Sequence, residues 1–278
     1  MLIVLIIQTG CALPLSDESR KAADRLIAFS REEVPYTSEK VEYIGIISAM
    51  QNEIDLLLSQ MDLEKVDKIG GVDYHVGSLK GQPVVIAKSG IGKVLASSGM
   101  TTMLNRYPIS RVIFTGIAGG VGENTKVLDE VIATRLVQHD YGQITNNGFE
   151  WYEGYTGKEG YYYCDPDLAS CAYEAAVSVL GKEHVFQGTI ATGDQFIASE
   201  EAVKKLSHDF DAIACEMEGA AIAVVCEQYD IPFVVIRAMS DKADGKAHET
   251  YENMGDIAAD NSSRIVLRMI ETISPQSK

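Results

Sequence analysis

The residues of this sequence best placed for chemistry are carboxylates that follow short apolar runs. Past residues 43–48 comes Ala49-Met50-Gln51-Asn52-Glu53, and past 187–191 comes Thr192-Gly193-Asp194-Gln195-Phe196-Ile197. The runs near 212–215 and 232–238 end in Glu216-Met217-Glu218-Gly219 and in Arg237-Ala238-Met239-Ser240-Asp241. A fifth, 111–115, opens into Thr115-Gly116-Ile117-Ala118-Gly119-Gly120. If these runs are parallel strands, their far ends share one crevice, where ligands of open α/β sheets gather. Carboxylates collected there are equipment for general acid and base work. Taken singly each signal is weak. Glu53 alone reads as a helix cap, and Ser240-Asp241 as a capping pair. The glycine run is no P-loop, because no Lys-Ser/Thr follows it, and its spacing is wrong for a dinucleotide fingerprint. Four carboxylate-bearing ends and one glycine-rich end together weigh more than any one motif.

The elements that must position these residues follow an α/β rhythm from about residue 41. Strands are expected at 43–48, 74–79, 83–88, 111–115, 130–137, 187–191, 212–215 and 232–238. Helices are expected after Glu53 and over 93–106, 219–229 and 256–273. The strands are nearly all apolar, as in a sheet covered by helices on both faces. Residues 138–164, rich in Gly, Asn, Tyr and Glu and holding Trp151, stand apart as a lid or subunit contact.

With 278 residues, 46% hydrophobic and 23% charged, the chain can bury a large core and is not disordered. Its formal charge of −16 repels phosphate backbones and anionic lipid, so nucleic acid is not an expected partner. Cysteines 11, 164, 171, 215 and 226 form no CxxC pair and read as free structural thiols. His75, His139, His184, His208 and His248 are scattered, so no metal site is expected, and His139-Asp140 reads as loop structure. Met1–Ile7 is too short to span a bilayer, but Gly10-Cys11 has the look of an imperfect lipoprotein cleavage site. Membrane contact is expected only through such an N-terminal lipid anchor, with 15–40 as a tether; otherwise the address is the cytoplasmic one that the family resemblance described next implies.

The whole set resembles the 5′-methylthioadenosine/S-adenosylhomocysteine nucleosidases of the nucleoside phosphorylase superfamily. The pieces are Ile44-Gly-Ile-Ile-Ser-Ala-Met50 with Glu53, Lys88-Ser-Gly-Ile-Gly-Lys93, Thr115 to Gly120, Thr192 to Ile197, Glu216-Met-Glu218 and Ser240-Asp241. The resemblance implies a single-domain three-layer α/β/α sandwich around a mixed, mostly parallel sheet. It implies hydrolysis of the N-ribosidic bond of adenine thio-nucleosides, by a homodimer and with no cofactor. Asp241 would be the acid that protonates adenine N7, held by Ser240, and would need a carboxyl pKa raised by burial. Glu53 would hold and deprotonate the attacking water, with Arg237 helping to orient both. Glu218 would bind the ribose hydroxyls and favour the cationic sugar. Met50 and Met217 would pack on the sugar, Phe196 on adenine, the Ile197 main chain on the adenine edge, and Tyr251 on the 5′ substituent. Two positions depart from the family pattern: Ile117, where Ser or Val is common, and Asn147, where an aromatic of the 5′ pocket is common.

Three rivals are weighed against this reading. A phosphorylase of the same fold needs a cationic phosphate cradle after the first strand, where this chain has Ser48 to Glu53 and no arginine. A futalosine-type nucleosidase would use the same machinery on another 5′ group. A surface-displayed binding protein that kept the fold has no need of the Glu53, Glu218 and Asp241 set.

Overall fold

Strands apolar on both faces need a partner on both faces, and successive side chains of these strands feed two separate cores. In β1 (Tyr43–Ser48) Ile47 joins one core and Ile46 the other; in β5 (Ile109–Gly120) Phe114 and Ile113 divide the same way. The first core lies under α2 (Lys93–Arg106) and α5 (Gly219–Gln228), through Met100, Met103, Ile222 and Cys226. The second lies under α1 (Asp55–Ser59), α3 (Pro166–Leu180) and α6 (Ala247–Thr272), through Leu57, Leu168, Ile265 and Met269. Each fully buried aliphatic side chain contributes roughly 1.5–3 kcal/mol. This is a single-domain α/β/α sandwich. The computed structural model describes residues 41–153 and 158–273, and the N-terminal stretch read as an export signal and tether lies outside them.

The remaining strands are β2 (Met61–Ile69), β3 (Val72–Leu79), β4 (Gln82–Lys88), β6 (Glu130–Gln138), β9 (Tyr161–Tyr163), β10 (Val185–Thr192), β11 (Ala212–Glu216) and β12 (Phe233–Asp241). Their order is β11-β10-β6-β12-β5-β1-β4-β3-β2, with β9 also on β6. β1 runs parallel to β4 and β5, β12 parallel to β5, and β10 parallel to β6 and β11. β12 meets β6 antiparallel, and β2, β3 and β4 form an antiparallel meander. The sheet is mixed, with its parallel pairs central. At its end β5 turns back, so that Gly119 and Gly120 pair antiparallel with Cys215 and Ala214 of β11. Strands β5, β12, β6, β10 and β11 thereby close on themselves, and the five strand ends singled out above crowd toward one place.

Several elements exceed the sequence reading. β5 continues five residues past Thr115, because its glycines run in the strand instead of turning out of it. β2 was not expected: its side chains are mostly exposed and show no apolar alternation, and Gly70 and Gly71, both at positive φ, turn it into β3. α3 starts at Pro166 with the Asp165 carboxylate accepting from Leu168 N at 2.9 Å. A further helix, α4 (Glu200–Phe210), was also unread, its exposed face being acidic and basic by turns. α6 begins at Ala247 rather than near 256, because its first turns face the sheet's end and not the core. The segment 138–164 holds a hairpin, β7 (Gly142–Thr145) and β8 (Gly148–Trp151), whose exposed turn carries Asn147.

Candidate active site

The chain leaves β1 at Ser48 and turns into α1, and that turn folds around the Glu53 carboxylate. Oε2 accepts from Ser48 Oγ (2.7 Å), Ala49 N (3.0 Å) and Met50 N (2.7 Å). Oε1 accepts from Ile117 N at 2.9 Å. Only the main chain of residue 117 is used, so its bulky side chain does not weaken the hold. Glu53 is 3% exposed and lines the adjoining cavity, and its Oε1 carries one donor against three on Oε2. The glycine at 116 is required here: a Cβ would press on Glu53 Oε1 and lie 2.9 Å from Arg237 Nη1.

At the end of β12, Ser240 Oγ donates to Asp241 Oδ2 (2.8 Å) and Ala243 N to Oδ1 (2.7 Å). Asp241 is buried, and that burial pushes its carboxyl above the usual carboxylate range against the pull of these two bonds. Gly119 makes room for it, since a Cβ there would sit 3.1 Å from Oδ1. Gly116 and Gly119, which make room for the two carboxylates, lie three residues apart on β5.

Between them stands a buried group of two glutamates and one arginine. Glu218 Oε1 accepts from Gly92 N at 2.7 Å, at the start of α2. Burial, and then the neighbouring Glu216 carboxylate, push the Glu218 carboxyl up to about 8, while Arg237 and the Gly92 N–H pull it down. Glu216 Oε2 accepts from Arg237 Nη2 (2.8 Å), Gly219 N (2.7 Å) and Glu218 N (3.0 Å), and its Oε1 accepts from Thr192 Oγ1. Arg237 forms its ion pair with Glu216, with Glu218 4.0 Å away, and none with Glu53. The turned-back end of β5, paired with both β11 and β12, brings Glu216 to Arg237, so Arg237 positions the Glu216–Glu218 strand end.

One cavity of about 480 Å³ joins these groups. Nine of the ten residues singled out from sequence line it: Met50, Glu53, Phe196, Ile197, Met217, Glu218, Ser240, Asp241 and Tyr251. Arg237 does not; it is 1% exposed and lies behind the wall. Phe196 is 51% exposed at the mouth, with its ring edge-on to His248 (6.4 Å) and Tyr251 (6.2 Å). Tyr251 Oη donates to Met50 Sδ at 3.6 Å. Sequence reasoning gave no role to Glu216, Ile91, Cys215 or His248, which also line the cavity. Glu216 stood in a quoted motif and had a signal; His248, on an unrecognised first helical turn, had none. The His139-Asp140 pair proves to be loop structure: Asp140 binds Lys93 Nζ (2.6 Å) and Asp194 N (2.9 Å), while Asp194 Oδ1 accepts from Lys93 N (2.8 Å). That latch ties the Gly92 loop to the loop bearing Phe196. Among the described residues no group of His, Cys, Asp and Glu is arranged to hold a metal ion.

A family model described as the phosphorylase superfamily matches residues 43–271. The 5′-methylthioadenosine/S-adenosylhomocysteine nucleosidase of Bacillus subtilis is 38% identical over 231 residues, which cover 83% of this chain and 99% of that protein. The nucleosidase of the same description from Neisseria meningitidis, solved in complex with methylthio-immucillin-A, superposes with a TM-score of 0.77 at 36% identity, over 84% of this chain and all of that one. Futalosine hydrolase of Helicobacter pylori superposes with a TM-score of 0.76 at 30% identity, over 85% of this chain and 100% of that one. With the fold, the match across nearly all of residues 41–273 and these relatives in hand, the chain belongs to the 5′-methylthioadenosine/S-adenosylhomocysteine nucleosidase family of the phosphorylase superfamily.

Proposed function

We propose that the protein hydrolyses the N-ribosidic bond of S-adenosylhomocysteine and 5′-methylthioadenosine, releasing adenine and the thioribose product. The observation that carries this reading is the pairing of two unlike carboxyls in one cavity. Asp241 is driven by burial toward its protonated form, and Glu53, at the cavity wall, is clamped by four donors, only one of them on Oε1. Asp241 gives its proton to adenine N7, and the bond from C1′ to N9 breaks with its electrons going to the base. The ribosyl cation that develops is met by the acidic Glu216–Glu218 strand end, and Glu218, whose carboxyl is pushed up to about 8, hydrogen-bonds the ribose hydroxyls. Water held on Glu53 Oε1 adds to C1′ as Glu53 takes its proton. Met50, Met217 and Tyr251 supply an apolar, polarisable wall for a thioether, and Phe196 with the Ile197 main chain flanks the base. Arg237 acts behind them by fixing Glu216.

Water rather than phosphate as the nucleophile is favoured by charge. Among the described residues the lining contains Glu53 and Glu216 beside Glu218 and Asp241 and no lysine or arginine, so a phosphate dianion would enter an acidic cavity with no cationic partner. A second copy is part of the reading: Ile91, Val94 and Leu95 are exposed, and Ile91 also lines the cavity, so an apolar surface begins at its mouth. The test is adenine release from both nucleosides in phosphate-free buffer by wild type and Asp241→Asn. Turnover without phosphate, falling about 10²–10⁴-fold in the variant, is the expected result. Activity that requires added phosphate makes the protein a phosphorylase. No activity in either buffer favours a binding protein that kept the fold.

A further inference from the structure

The face of α6 that carries His248, Tyr251, Gly255, Ala258 and Ser262 passes from exposed through half-buried to buried. Only its first turn meets the cavity, with His248 exposed and Tyr251 half-buried; from Gly255 on the face runs into the core. His248 and Tyr251 both line the cavity, three residues apart on one helical face, with an axial rise of about 4.5 Å between them. Tyr251 stands beside Met50 at the level proposed for the 5′ sulfur. His248 stands one turn further out, against the edge of Phe196, with Nε2 3.4 Å from Glu252 Oε1. Among the residues that line the cavity, His248 is the one whose side chain can carry positive charge.

We propose that the His248–Glu252 pair reads the α-amino acid end of a homocysteine-type 5′ tail, an inference that rests on the nucleosidase reading above. A methylthio group ends at Met50 and Tyr251. A homocysteine tail runs three carbons further, about 4–5 Å from the sulfur, which is the rise from Tyr251 to His248. Its carboxylate then accepts from the His248 imidazole, and its ammonium donates to Glu252. The two exposed side chains already meet at 3.4 Å just outside the mouth, so a zwitterion replaces their mutual contact with two matched ones. Among the described residues that line the cavity, His248 is the one imidazole that can donate to the carboxylate, and the shorter methylthio substrate reaches neither group.

The experiment compares kcat and KM for S-adenosylhomocysteine, 5′-methylthioadenosine and 5′-butylthioadenosine in wild type, H248A and E252Q. Butylthioadenosine fills the same length without charge. Exposed ion pairs are individually weak, so the ratio of kcat/KM for S-adenosylhomocysteine over methylthioadenosine is expected to fall about threefold to fivefold in each variant. The change is expected in KM, with the butylthio-to-methylthio ratio holding steady. A homocysteine-to-methylthio ratio that stays put in both variants overturns the proposal. So does an equal fall for the butylthio compound, which would mark a packing effect. Wild type inert toward methylthioadenosine overturns the nucleosidase reading itself, an outcome told apart because it involves no variant.

Discussion

Replacing Glu53 by Gln keeps the shape of the side chain and reverses half of its hydrogen bonding. Three donors converge on Oε2 and one on Oε1. The amide oxygen will take the three-donor side, which leaves the new NH2 facing the Ile117 N–H, donor against donor. Bonds to a charged acceptor are worth about 1 kcal/mol more than neutral ones, so three of them lose about 3 kcal/mol. The stranded Ile117 N–H costs about 1–3 kcal/mol more. Relief from burying a charge offsets part of this, for an expected net loss of about 2–4 kcal/mol. Thermal melting followed by circular dichroism should then drop by roughly 5–15 °C. Ser48→Ala removes one donor and leaves three, and should lose only about 1–2 kcal/mol. Adenine release by Glu53→Gln should fall about 10²–10⁴-fold beyond any loss of folded protein. A Glu53→Gln protein that melts with wild type, or that turns over within tenfold of it, refutes the reasoning that this carboxylate is both clamped as an anion and used as the base.

Two further outcomes follow from the same geometry. Gly116→Ala sets a methyl against Glu53 Oε1 and Arg237 Nη1, so it should destabilise by about 1–3 kcal/mol and lower kcat by more than tenfold, read from melting and steady-state rates; unchanged turnover would mean that Glu53 can shift without consequence. Glu218 is held near 8 in the fold against an ordinary value of 4.5, so between those pH values the folded state binds more protons than the unfolded one. Its contribution to stability is full below about 4.5 and is lost as pH rises through about 8. Denaturant unfolding at pH 5 and pH 8 should show that decline in wild type and a flatter profile in Glu218→Gln; equal slopes would contradict it.

The strand ends were legible because a parallel sheet announces itself as all-apolar runs, and side chains just past them must meet. Glu53, Glu218, Ser240 and Asp241 were found by that rule together with the resemblance. What stayed hidden depended on partners distant in sequence. Arg237 is nearer to Glu216 than to Glu53 only because β5 bends back onto β11, a pairing through Gly119 and Gly120 that leaves no trace in periodicity. β2 was invisible because an edge strand with mostly exposed side chains need not alternate. The early start of α6 was missed for a similar reason: residues 247–255 are largely polar, since they roof the mouth of a cavity instead of covering the core.

Closure of β5 onto β11 bears on how this protein behaves in a crowded solution. A strand at the margin of a sheet ordinarily offers unpaired amides and carbonyls to any passing chain, a route to aggregation. At one limit of the strand order that offer is withdrawn, because Ala214 and Cys215 are already paired with β5. At the other limit lies β2, where Asp62, Glu64, Lys65 and Lys68 stand exposed along the strand. One margin is tied off by the fold, and at the other four charged side chains interrupt the exposed Leu63 and Val66.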